Sequence, residues 1–135
     1  MGMLDGRVAI ITGSGRGIGK AAALLMAREG AAVVVSDLDA EPALETVNEI
    51  TAAGGKAVSC HGDVTNPDFP EKLINTALDS FGGLHIIVNN AGYTWDGMIH
   101  KMTDEQWLAM FEVHVNAPRK IVLVTSIDST LKRNS

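Results

Sequence analysis

Thr12-Gly13-Ser14-Gly15-Arg16-Gly17-Ile18-Gly19-Lys20 follows directly on the short apolar run Arg7 to Thr12 (RVAIIT). That run is β-branched, shows no polar alternation and breaks at Gly13, which predicts a strand buried on both faces. Beyond the glycines, Ile18, Ala22, Leu25 and Met26 recur at helical spacing, so a helix is expected from Ile18 to Glu29, ended by Gly30. The two textures then repeat. Ala31 to Ser36 (AAVVVS) reads as a second strand, and a helix from about Glu41 to Ala53 sets Leu44, Val47 and Ile50 on one stripe. Lys56 to His61 is a third strand, and Pro70 to Phe81 a third helix that buries Leu73, Ala77, Leu78 and Phe81. Leu84 to Asn89 (LHIIVN) is a fourth strand. After a polar loop to about Met102, Thr103-Asp104-Glu105-Gln106 is a capping box for a helix carrying Trp107, Met110, Phe111 and His114 on one face. Pro118 is expected to stop or kink that helix, and Lys120 to Thr125 (KIVLVT) to form a fifth strand.

Strands alternating with helices imply crossover units and a parallel sheet covered on both faces. The expected fold is α/β, a Rossmann-type doubly wound sheet of about five strands in the order 3-2-1-4-5. One domain over residues 1–126 and a polar tail over 127–135 complete the expectation. Composition agrees with a globular domain: of 135 residues, 46% are hydrophobic and 20% charged. With 16 acidic residues against 11 Lys plus Arg, the chain offers no electrostatic footprint for nucleic acid or an anionic membrane. No signal peptide or membrane-length apolar run is read in it, and a cytoplasmic protein is expected. The single cysteine, Cys60, suits a reducing compartment and reads as a small core hydrophobe. The scattered histidines His61, His85 and His100 give no metal-ligand spacing, so no metal is expected.

In doubly wound sheets, ligands sit beyond the carboxyl ends of the strands, where the strand order reverses. Two nucleotide motifs compete for the loop that follows the first strand. A phosphate-binding P-loop requires Gly, four residues, then Gly-Lys-Ser/Thr, but here Ser14 stands at the first Gly and Ala21 at the hydroxyl. A dinucleotide turn fits better, because the second strand ends in an acid, Asp37. A carboxylate there accepts hydrogen bonds from an adenosine ribose and repels a 2′-phosphate.

The glycine spacing is T-G-x-x-x-G-x-G, from Thr12, Gly13, Gly17 and Gly19. With Asp63-Val64 after the third strand and Asn89-Asn90-Ala91-Gly92 after the fourth, the chain resembles the short-chain dehydrogenase/reductase family. Asn89 to Trp107 is similar to the 3-oxoacyl-[acyl-carrier-protein] reductase-like members. The resemblance implies a nicotinamide dinucleotide as partner, with Gly13, Gly17 and Gly19 shaping the pyrophosphate turn, Ile18 beside the nicotinamide end, and Ser14 and Arg16 also among the cofactor-binding residues. It implies that Asp37 binds the adenosine ribose and favours NAD over NADP. Arg16 tempers that preference, since a basic residue at this place meets a 2′-phosphate in some relatives. By the same resemblance, Asp63 and Val64 lie at the adenine and Asn90, Ala91 and Gly92 line the cofactor.

For catalysis, the resemblance implies hydride transfer between nicotinamide and a small ketone or secondary alcohol, with Ser126 positioning the substrate oxygen. Aligning Ala117-Pro118 with relatives puts His114 at the family's active-site Asn. His114 is read either in that role or as a helix-face residue packed near Trp107 and Phe111. The family's Tyr-x-x-x-Lys does not occur, since the only tyrosine, Tyr93, has no lysine four residues on. The fourth crossover looks shortened at Pro118-Arg119-Lys120, and the chain reads as the N-terminal, truncated part of such an enzyme. An exposed apolar edge from Ile121 to Val124 would make it a homo-oligomer or a partner-bound protein. Two functions stay open: an NAD(P)-dependent oxidoreductase with impaired catalysis, and a non-catalytic dinucleotide-binding or subunit-interaction module.

Overall fold

A computed structural model describes residues 2–91 and residue 121. Seven elements run in order: β1 (Val8–Ile11), α1 (Gly17–Arg28), β2 (Ala32–Val35), α2 (Ala40–Ala52), β3 (Lys56–Ser59), α3 (Phe69–Phe81) and β4 (Ile86–Val88). Each lies where periodicity puts it, with ends displaced by a residue or two. The four strands form one parallel sheet in the order β3-β2-β1-β4. The order reverses beside β1, which pairs with β2 on one side (Ala9 opposite Val33) and β4 on the other (Ala9 opposite Ile86).

Side-chain alternation divides the core into two layers. Val8 and Ile10 of β1, with Ala32 and Val34 of β2, pack on Phe69, Leu73, Ile74 and Ala77 of α3. Ile11, Val33 and Val35 face the other way, against Ala23 and Ala27 of α1 and Ala43 and Ile50 of α2. Both central strands are therefore buried throughout, which explains their unbroken apolar character. Cys60 is buried and unpaired in the α3 layer. No helix among the described residues is long and apolar enough to cross a membrane.

Three expectations need correction. The buried stripe of α1 is Gly19, Ala23 and Ala27, whereas Ile18 is 83% and Leu25 54% exposed. Small residues let α1 approach the sheet closely, and they share the four-residue spacing that suggested the larger ones. In α2 the buried positions are Ala43, Thr46 and Ile50, and Leu44 is half exposed. The third correction concerns the fifth strand: Ile121 is helical and buried in the α3 layer. A short apolar run has no period that separates a strand from a buried helical turn, and here packing chose the helix. Neither a strand nor an exposed edge thus exists at Ile121; the rest of that run, Pro118 and the capping box lie outside the described residues.

Candidate dinucleotide site

The loops after all four strands meet at the carboxyl edge of the sheet, around a cavity of about 520 Å³. Gly13 and Arg16 come from the β1 loop, Ser36 to Asp39 from β2, Gly62 to Thr65 from β3, and Asn90 and Ala91 from β4. Such a crevice beside the reversal of strand order is where this architecture holds its ligands.

The β1 loop is shaped by close approach of backbones. Gly13 has a φ of 67°, and a Cβ on it would lie 3.0 Å from the Ala91 Cα. A Cβ on Gly19 would collide with the Gly13 carbonyl oxygen and the Asn90 side-chain amide. Only glycine lets α1 begin directly under the loop. Arg16 at the N-cap forms no side-chain cap, and the first turn carries no acid. The positive helix end and its free amides therefore remain available to an anion.

Thr12 joins this loop to β4. Its hydroxyl oxygen accepts from the amides of Asn90 and Ala91, both at 3.0 Å, and the Asn90 side chain donates to the Gly13 carbonyl at 3.3 Å. Ser14 is fully buried, and its hydroxyl donates to the Ile11 carbonyl at 2.6 Å and accepts from the Ser36 amide at 3.0 Å. Gly17 and Ile18 open α1, with the Ile18 side chain in solvent.

Asp37 is 5% exposed and sits at the centre of the charge pattern. Its Oδ2 accepts from the Gly15 amide at 3.1 Å, and its Oδ1 from the Asp39 amide at 3.2 Å and the Arg16 guanidinium at 2.9 Å. Burial pushes this carboxyl up, but Arg16 and the amides of Asp39 and Gly15 outweigh it, holding it below its ordinary value. The same guanidinium reaches Asp39 Oδ2 at 2.8 Å, and hydrogen bonds to Asp37 and then Asp39 raise the Arg16 pKa. Beside Asp37, the Ser36 hydroxyl is buried without a hydrogen-bond partner. Asp63 Oδ1 accepts from the amide and hydroxyl of Thr65, which folds the β3 loop into a turn at the cavity wall.

Gly13, Arg16, Asp37, Asp63, Val64, Asn90 and Ala91, seven of the residues singled out from the sequence, thus line one cavity. Ser14, Gly17, Ile18 and Gly19 build the turn beneath it without lining it. Gly92, His114 and Ser126 lie outside the described residues. Ser36, Leu38, Asp39, Gly62 and Thr65 also line the cavity and were missed. Only Asp39 carried a usable signal, as a second acid just past the strand end.

Residues 7–130 match the sequence model of the short chain dehydrogenases. A peroxisomal hydratase-dehydrogenase-epimerase of Neurospora crassa is 44% identical over 125 residues, covering 86% of this chain and 14% of that protein. A 3-oxoacyl-[acyl-carrier-protein] reductase of Synechocystis is 40% identical over 116 residues, covering 85% of this chain and 47% of its own. A short chain dehydrogenase/reductase from Burkholderia phymatum, solved in complex with NAD, superposes with a TM-score of 0.87 at 34% identity, covering 93% of this chain and 45% of that one. The chain spans less than half the length of these relatives. A family match across most of its residues, on a parallel 3-2-1-4 sheet with its cavity at the strand ends, establishes that the chain belongs to the short chain dehydrogenase family.

Proposed function

We propose that this chain is the dinucleotide-binding part of an NAD(P)-dependent oxidoreductase that acts on a ketone or secondary alcohol, and that it takes NAD in preference to NADP. The observation that carries the reading is Asp37: a buried carboxylate held ionised at the cavity wall, where it can accept the hydroxyls of an adenosine ribose. The Gly13 and Gly19 cradle, which any Cβ would fill, suits a pyrophosphate resting on the uncapped start of α1.

In this reading Gly13, Gly17 and Gly19 shape the pyrophosphate turn with Ser14 and Arg16 among the cofactor-binding residues, Ile18 lies beside the nicotinamide end, Asp63 and Val64 flank the adenine, and Asn90, Ala91 and Gly92 line the dinucleotide. The nicotinamide, when bound, supplies a hydride donor or acceptor. Ser126 and His114 are the proposed substrate-side residues, Ser126 orienting the substrate oxygen and His114 holding a proton near it. The likeness to the Synechocystis enzyme supports a 3-oxoacyl-type substrate. A homo-oligomer in the cytoplasm completes the proposal; the peroxisome, named for the Neurospora relative, is the competing compartment that imaging of the tagged protein would reveal.

Calorimetric titration with NADH and NADPH tests the reading. NADH is expected to bind more tightly, and Asp37→Asn to weaken it by about ten-fold or more, as for loss of a charged hydrogen-bond acceptor. Failure of the parent chain to bind either dinucleotide would overturn the assignment. Turnover of a β-keto ester in proportion to chain concentration tests hydride transfer directly.

A further inference from the structure

Asp39 is the N-cap residue of α2, a position where aspartate ordinarily accepts a hydrogen bond from an amide of the first helical turn. Here its side chain makes no cap bond. The carboxylate turns instead to Arg16, 2.8 Å from the guanidinium nitrogen that also pairs with Asp37 at 2.9 Å. All three side chains line the same cavity. Arg16 is the cation of the β1 loop that could meet a 2′-phosphate, and both acids already engage it.

We propose that Asp39 determines dinucleotide specificity by restraining Arg16, a role that rests on the dinucleotide reading of the cavity. Asp37, Asp39 and Arg16 together carry one net negative charge. A ribose 2′-hydroxyl can donate into that set, whereas a 2′-phosphate meets two carboxylates and a guanidinium whose Nη2 is already engaged by both. Neutralising Asp39 makes the trio neutral and frees Arg16 on one side. The effect is on discrimination, because Asp37 remains in place as the ribose acceptor.

Asn caps helices as well as Asp does, so Asp39→Asn is expected to fold. Calorimetric titration of the full chain with NADH and NADPH gives the affinity ratio for each variant. D39N should raise the NADPH-to-NADH ratio by about five- to ten-fold, and the rise should shrink with added salt. D39E, which keeps the charge, should retain the parent ratio, and combining D39N with Arg16→Ala should abolish the rise. NADH binding with an unaltered ratio in D39N overturns this proposal alone, as does a rise that persists without Arg16. If neither dinucleotide binds the parent chain or any variant, the proposal and the reading beneath it fall together.

Discussion

Ser36 brings a hydroxyl to the cavity wall and leaves it buried with no hydrogen-bond partner, while its own amide is bonded to Ser14. A buried polar atom left unpaired costs stability, and replacing it with an apolar group is neutral or favourable. Ser36→Ala is therefore expected to keep or raise the unfolding midpoint of the ligand-free chain, by up to about 1 kcal/mol in denaturant titration. A loss of similar size would mean that the hydroxyl is bonded after all. Nothing in the sequence distinguishes Ser36 from Ser14, which stands among the same strand ends and is fully satisfied. The glycines were legible because their chemistry is a matter of type and spacing. Which serine finds a partner depends on atoms brought together from β1 and β2.

Among the connections that hold the loop after β1 to its neighbours, two differ in kind. Thr12 ties it to the end of β4 with neutral hydrogen bonds, and Asp37 ties it to the end of β2 with a charge. Only the second titrates. Because the carboxyl lies below its ordinary value of 3.8 in the folded chain, its contribution is fully present above that value and is lost as pH falls through the folded one. Thermal unfolding followed from about pH 5 to about pH 2 should thus show a steeper acid loss for the parent chain than for Asp37→Asn. Equal slopes would show that Asp37 titrates alike in both states. Strand and helix positions were legible to within a residue or two, since apolar runs and glycine stops are local signals. The stripes of α1 and α2 were not, because Gly19, Ala23 and Ala27 gain burial from the closeness of the sheet and not from their own hydrophobicity. The run at Ile121 shows the same limit: β-branched residues favour a strand, but burial in the cluster that holds Ile10, Leu73 and Ile74 can reward a helix equally.

Every strand in the sheet contributes a loop to one cavity, and both core layers are needed to hold those loops in register. The fold class and the cavity's position followed from alternating textures, since parallel strands leave few topologies open. The chain's self-association did not follow so simply. The argument from an apolar edge fails at Ile121, which is buried and helical. Association between copies stays a proposal, tested in solution. Light scattering should give a mass above that of one chain at micromolar concentration, and a stable monomer would refute it.

The convergence of four loops also sets what kind of event ligand capture is. No single loop carries the cavity, so a molecule bound there has a stake in all four strands at once. Its binding energy is drawn from the cooperative assembly of the sheet and returned to it by mass action. Local fraying at the β3 or β4 margin would release the guest before the centre of the sheet yields. Occupancy at the crevice is in this sense a vote on the integrity of the entire domain.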